Sequence, residues 1–387
     1  MKKAVIVSAV RAGVGSYGGQ WAPVTPEKLA GTVIAEAVRR ARVDPEEIED
    51  VIMGNLYGQH GNIARVSMLE AGLPVTAGAC IVDRQCASSV QAIYEAALHI
   101  MVGNGDVFVA CGLEHMTREP WQLEKTTVPY QQAGPRCLET RLTPDAFGND
   151  RMGITAENVA EKYGITRTEM DCFALASHNK AENAINEGKF KEQIIPIEVQ
   201  LKKGAVTVNS DESVRMGLTL EKLRNLRPVF LKEGKVTAGN ACPWSDGAAA
   251  VVLMNEERAK ALGLEPMASV CSFAAAGLDP KFMGVGPIYA VPKALKRAGI
   301  SVSDLDWIEL NEAFAAQAIP CIRELGFPEE KVNPYGGGIA LGHPLGATGA
   351  ILVTKAVYAM SEHDLRYSLI TMCIGGGQGA AMVLRKD

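Results

Sequence analysis

One pattern is written twice in this chain, and it narrows the possible folds more than any other feature. The run Glu36-Ala37-Val38-Arg39-Arg40-Ala41-Arg42-Val43-Asp44-Pro45-Glu46-Glu47-Ile48-Glu49-Asp50-Val51-Ile52 reads as the end of a helix leading into a strand. Lys293-Ala294-Leu295-Lys296-Arg297-Ala298-Gly299-Ile300-Ser301, continuing to Asp306-Trp307-Ile308, does the same with one residue fewer in the loop. Asn55 and Asn311 follow the two strands at matching positions. Further on, a helix from Cys86 to about Val102 is matched by one from about Leu345 to Met360, and the strand 107–112 by 368–373. Recurrent alternation of helix and strand implies two α/β halves, each with a mixed, mostly parallel central sheet.

Local signals agree. Thr25-Pro26-Glu27 supplies a helix cap followed by proline at the first helical position. Asp44-Pro45-Glu46-Glu47 repeats the device with an acid at the third position. Val107 to Ala110 and Ala248 to Leu253 are short, continuously apolar runs, as strands covered on both faces require. Ala4 to Val10 reads as a first buried strand, not a leader, because Arg11 and a glycine turn interrupt it. Between Thr117 and Ala238 the rhythm breaks into proline turns and a charged, helix-rich segment, a placement typical of binding and assembly. The expected division is residues 1–116 completed by 239–264, an inserted loop domain at 117–238, and a second half at 265–387.

Composition excludes several classes. At 387 residues and 47% hydrophobic, the chain buries a large core. A formal charge of −5 argues against a general nucleic-acid binder, and no apolar run reaches the length of a spanning helix. Nine cysteines without a CxxC pair, and six histidines out of ligand register with them, point to free thiols in a reducing cytoplasm and to no metal site.

Three residues stand where loops meet helices or turns. His343 lies between Gly336-Gly337-Gly338 and an apolar helix, a setting in which an imidazole moves protons near neutral pH. Cys86, in Asp83-Arg84-Gln85-Cys86-Ala87-Ser88-Ser89, opens a helix; Cys373 precedes Ile374-Gly375-Gly376-Gly377. Together they suggest thiol chemistry. Gly13-Val14-Gly15-Ser16-Tyr17-Gly18 is a formal dinucleotide fingerprint, but the next helix starts only near Thr25, so the match is accidental. Cys80, Cys111, Cys137, Cys172, Cys271 and Cys321 read as small hydrophobes, and His60, His99, His115, His178 and His363 as surface or satisfied core residues.

These residues occur in order with Met152-Gly153-Ile154-Thr155-Ala156-Glu157-Asn158, Thr237-Ala238-Gly239-Asn240, Asp246-Gly247-Ala248-Ala249-Ala250, Asn311-Glu312-Ala313-Phe314 and Gly342-His343-Pro344. In that arrangement the chain resembles the thiolase family along essentially its whole length. The resemblance implies duplicated halves layered α/β/α/β/α, and cleavage of 3-ketoacyl-CoA by CoA, or acetoacetyl-CoA synthesis in reverse. It makes Cys86 the nucleophile, His343 its base and Cys373 the acid that protonates the leaving enolate. A helix N-terminus and an imidazole would lower such a thiol to roughly 3.5–7.5. One oxyanion site is implied at His343 with a water held by Asn311, the other at the backbone N–H groups of Cys86 and Gly375. Arg215 matches the contact to the nucleotide end of CoA. Met152, Met283, Ala313 and Phe314 match pantetheine and acyl contacts, and Cys242 stands where a pantetheine-contacting serine is usual. CoA enters as co-substrate with no permanently bound cofactor, and a homotetramer or dimer is implied. A ketoacyl synthase is the nearer rival, but it carries a second histidine where this chain has Asn311. A non-catalytic subunit of the same fold would not need both cysteines, His343 and Asn311. Departures at Ala87, Ser89, Arg151 and Ala241-Cys242-Pro243-Trp244-Ser245 bear on acyl length, with Trp244 expected to reshape the wall around the acyl or pantetheine chain.

Overall fold

The first half of the chain runs β1 (Ala4–Arg11), β2 (Gly15–Ser16), α1 (Pro26–Ala41), β3 (Asp50–Gly54), α2 (Ile63–Glu70), β4 (Gly78–Val82), α3 (Ser88–Val102) and β5 (Val107–His115). These elements are seen in a computed structural model that describes residues 2–58, 61–130 and 134–387; His60 lies outside the described residues. An inserted stretch follows with α4 (Met152–Lys162), α5 (Arg167–Asn186), the hairpin of β6 (Ile197–Leu201) and β7 (Gly204–Val208), and α6 (Leu220–Arg224). The chain then returns through β8 (Ser245–Asn255) and α7 (Glu256–Ala261). The remainder is β9 (Ala268–Gly277), α8 (Gly286–Ala298), β10 (Trp307–Leu310), α9 (Ala315–Leu325), α10 (Gly338–Leu341), α11 (Leu345–Glu362), β11 (Tyr367–Ile374) and β12 (Gln378–Arg385).

The duplication is visible in strand order. The main sheet reads β10-β11-β12-β9-β1-β8-β5-β3-β4, with β2 beside β8. Outward from the junction of β1 and β9, β8 answers β12, β5 answers β11 and β3 answers β10. The flanking pairs β3–β5, β3–β4 and β10–β11 are parallel, whereas the middle of the sheet pairs antiparallel. Continuous apolar runs such as β8 report cover on both faces, whatever the strand direction. Within the sheet, β1 and β9 meet through two residue pairs, Val5 with Ser269 and Ile6 with Ala268.

Three buried clusters define the layers. α1 and α2 cover the outer face of the first half, where Leu29, Val33, Ile34 and Met68 pack on Val51, Val109 and Val252. α8 and α9 cover the outer face of the second. Between them α3 and α11 share one core, Ile93, Ala96 and Ile100 lying with Ala350, Val353 and Val357. Large aliphatic side chains buried this completely each contribute roughly 1.5–3 kcal/mol. The two central helices touch closely: a Cβ at Gly349 would fall 2.4 Å from Val90 N, and Ser89 Oγ accepts from Ala350 N at 2.9 Å. That contact sets their N-terminal turns side by side. The formal glycine fingerprint is β2 and a turn, with the helix delayed to Pro26. No helix among the described residues is long and apolar enough to cross a membrane.

Candidate active site

Cys86 reaches its place through a tight turn. Asp83 Oδ1 accepts from Gln85 N at 2.7 Å, Gln85 takes a left-handed conformation (φ +48°), and Ser88 Oγ accepts from Arg84 N at 2.9 Å. The chain then enters α3, leaving Cys86 at the helix mouth. Cys86 is part-buried, and the N–H groups of Gly375 and of Cys86 itself face its sulfur and favour the thiolate. Gly375 belongs to the turn between β11 and β12. A Cβ there would meet Leu142 Cδ1 at 3.0 Å, so a larger residue would crowd the Leu142 side chain.

His343 is buried at the start of α11 and held on three sides. Its N–H donates to Ser245 Oγ at 3.1 Å. Nδ1 lies 2.7 Å from Thr348 Oγ1, whose own proton goes to Pro344 O at 2.9 Å. Thr348 therefore accepts from the ring, which puts the hydrogen on Nδ1 and leaves Nε2 as the lone-pair nitrogen. Asn311 Nδ2 donates to that Nε2 at 3.2 Å, while Asn311 Oδ1 is buried without a partner. Ser245 and Thr348 were not singled out in the sequence; the signal for Thr348 was its place one helical turn beyond His343.

Electrostatics differ from the sequence expectation. Burial pushes the Cys86 thiol up to about 11, against the opposing N–H groups of Gly375 and Cys86. Burial pushes His343 down to about 4. The resting pair is thus neutral thiol and neutral imidazole, because an uncharged ring offers a thiolate no compensating charge. Cys373 is buried, and its thiol is pushed well above the usual range, first by desolvation and then by Cys86 beside it. Burial raises Cys242 to about 12, with Cys86 again the nearest charge partner. Three thiols therefore share one enclosure.

The expected substrate contacts gather on one side. Met283, Ala313, Phe314 and Cys373 form a buried cluster with Met152 and Cys242 packed against it. Cys242 N donates to Ala313 O at 3.0 Å. Arg215 stands further out, on a cleft of about 260 Å3 that also touches Ser16, His178, Glu212 and Ala241. Arg215 N donates to His178 Nδ1 at 3.2 Å. The segment carrying it is anchored by a buried pair, Arg11 Nη1 to Asp211 Oδ1 at 2.7 Å and Nη2 to Oδ2 at 3.0 Å. Trp244 does not join the thiol cluster. It is two-thirds exposed and packs edge-on against Tyr17.

Glu114 was also missed. Its buried carboxylate accepts from Asn55 Nδ2 at 3.1 Å, Leu56 N at 3.3 Å, Tyr57 N at 3.4 Å and Gly346 N at 3.0 Å. It ties the end of β5 to the first turn of α11. Burial raises it to about 8 against those donors.

Comparison with known proteins gives one family. The thiolase N-terminal domain matches residues 4–257 and the thiolase C-terminal domain residues 264–386. A beta-ketothiolase of Cupriavidus necator is 44% identical, over 100% of this chain and 99% of its own length. An acetyl-CoA acetyltransferase of Paracoccus denitrificans is 44% identical over the full length of both. Among solved structures, the Bacillus anthracis acetyl-CoA acetyltransferase superposes with a TM-score of 0.95 at 41% identity, covering 100% of this chain and 99% of that one. Human mitochondrial 3-ketoacyl-CoA thiolase does so with a TM-score of 0.95 at 36% identity and the same coverage.

Proposed function

The chain belongs to the thiolase family and is an acyltransferase, and we propose that it cleaves 3-ketoacyl-CoA with CoA through an acyl-enzyme on Cys86. The observation that supports this most is the Cys86 thiol faced by the Gly375 N–H, with Cys373 buried beside it. His343 Nε2 takes the Cys86 proton as sulfur attacks the 3-keto carbon. The bond between C2 and C3 breaks, leaving acyl-Cys86 and an acetyl-CoA enolate. Cys373 S–H protonates that carbanion. CoA then enters, loses its thiol proton to Cys373 or His343 and attacks the acyl thioester, and Cys86 leaves with a proton. Read backwards, the steps form a carbon–carbon bond.

Because both resting thiols are neutral, the proton passes as the sulfur–carbon bond forms. Negative charge then builds on two carbonyl oxygens, where fixed donors lower the barrier most. The Cys86 and Gly375 N–H groups serve one oxygen. His343, with a water held by the unpartnered Asn311 Oδ1, serves the other. Arg215 takes the nucleotide end of CoA, and Met152, Met283, Ala313, Phe314 and Cys242 take pantetheine and acyl chain. In this reading the first half (1–116 with 239–264) supplies the nucleophile, the second (265–387) the base and acid, and the segment 117–238 binds CoA. The protein works in the cytoplasm as a homotetramer or dimer, with exposed Trp121, Leu123, Val128 and Tyr130 on the 117–150 arm as its contact surface.

Mass spectrometry after mixing with acyl-CoA tests the core of this reading: the adduct is expected on Cys86, and an adduct elsewhere sinks it. Cys373→Ala is expected to keep slow acylation yet lose condensation; equal loss of both contradicts the assigned roles. The second reading, acetoacetyl-CoA synthesis, draws on the acetyl-CoA acetyltransferase names of several relatives. Turnover of acetoacetyl-CoA against longer 3-ketoacyl-CoAs separates the two.

A further inference from the structure

The histidine turn is braced from outside its own half of the chain. Ser177 sits on α5, in the inserted segment, and is buried. Its hydroxyl donates to Glu312 Oε2 at 2.6 Å and accepts from Gly337 N at 3.2 Å. Glu312 is the residue after Asn311. Its carboxylate also accepts from Asn333 Nδ2 at 2.8 Å and from Ile339 N at 3.3 Å. The surfaces are in contact: a Cβ at Gly337 would lie 2.2 Å from the Glu312 carboxyl carbon. Gly337 and Ile339 flank the start of α10, and α10 delivers Gly342 and His343. On the far side Lys355 Nζ donates to Gly336 O and to Glu309 Oε2, each at 2.7 Å.

We propose that Ser177 is a positioning residue for the reaction, its hydroxyl fixing Glu312 and Gly337 and through them both Asn311 and His343. The inserted segment then does more than bind substrate: it sets the geometry of the proton transfer. This role rests on the reading of His343 as the base. Without the hydroxyl, Gly337 N–H loses its buried acceptor and Glu312 Oε2 keeps only the longer contact to Ile339 N. The turn before His343 and the residue after Asn311 lose their shared anchor at once, and small displacements of reacting groups are costly in rate.

The test is the rate of Cys86 acylation and the steady-state constants of Ser177→Ala and Ser177→Thr, with melting temperature recorded for each. Acylation and kcat in Ser177→Ala are expected to fall about tenfold, with KM for CoA changed by less than about twofold. Ser177→Thr, which keeps the hydroxyl, is expected to recover most of the rate. A folded Ser177→Ala with normal acylation, a loss confined to KM, or a threonine that fails to recover the rate overturns the role. Should Ser177→Ala not fold, Glu312→Gln carries the test, since it keeps the size but weakens the same anchor; unchanged acylation there overturns the role equally. A wild-type chain that never acylates Cys86 overturns the functional reading and this role with it, whereas normal wild-type acylation with an undisturbed Ser177→Ala overturns the role alone.

Discussion

His343 carries opposite demands in one ring. To accept the Cys86 proton it must be neutral, and burial keeps it so by pushing it from 6.5 down to about 4. The same burial has a cost at low pH. Between those two values the unfolded chain binds a proton that the folded chain refuses, so stability is full above pH 6.5 and is lost as pH falls toward 4. The shift corresponds to about 3 kcal/mol from His343. His178, also buried and pushed down to about 4, acts in the same direction. Melting temperature is therefore expected to fall steeply between pH 6.5 and 4, and His178→Gln is expected to flatten part of the slope. A melting temperature independent of pH across that window contradicts the assignment. The positions of Cys86, His343 and Cys373 at loop–helix or loop–turn boundaries were legible in sequence. Their protonation was not, since the helix N-terminus argument ignored how little charge the enclosure around Cys86 tolerates.

At the scale of elements, the contact between α3 and α11 sets the spacing of the turns that carry Cys86 and His343. Each helix is individually readable: Ser88 to Val102 carries an apolar face of Val90, Ile93, Ala96, Ala97 and Ile100, and Leu345 to Glu362 buries most of its positions. Their separation is not readable, because it depends on Gly349 meeting Val90 and on Ser89 meeting Ala350. Gly349→Ala is expected to force the helices apart, costing roughly 1–3 kcal/mol by overpacking and far more in activity. Urea unfolding with parallel kinetics checks this; a stable, fully active alanine variant would show that the close approach is not needed. Ser89 in place of a more usual glycine finds its reason here, as a hydroxyl that accepts from the facing helix. Glu114 has a similar logic, a buried acid whose partners come from two separate segments, 55–57 and the first turn of α11.

The whole molecule joins two equivalent halves that divide the chemistry unequally. Cys111 answers Cys373 in the duplicate, but it is buried without the glycine turn and faces no substrate cluster. Symmetry built the frame, and the glycine-rich turn after Cys373 broke it where reaction was needed. The arm at 117–150 has no place in that frame. Trp121 is 87% exposed, and on the same arm Glu124 N donates to Arg136 O and Leu138 N to Gln122 O, each at 2.8 Å. Exposed aromatic and aliphatic side chains such as Trp121, Leu123 and Val128 suit contact with further copies of the chain. Light scattering is expected to give a tetramer, reduced to dimer by Trp121→Ser with Leu123→Ser; a monomer in both refutes the arm as an assembly surface.

Sequence alone determined the alternation of helix and strand, its duplication and the candidate thiols and imidazole. Those features are written in short-range signals: apolar period, caps, glycine turns and ordered motifs. Tertiary structure alone decided the hydrogen on His343 Nδ1, the neutrality of the thiols, the exposure of Trp244 and the brace from Ser177. Each of these depends on groups far apart in the chain that share one dehydrated space, and burial acts on whatever the fold happens to bring together.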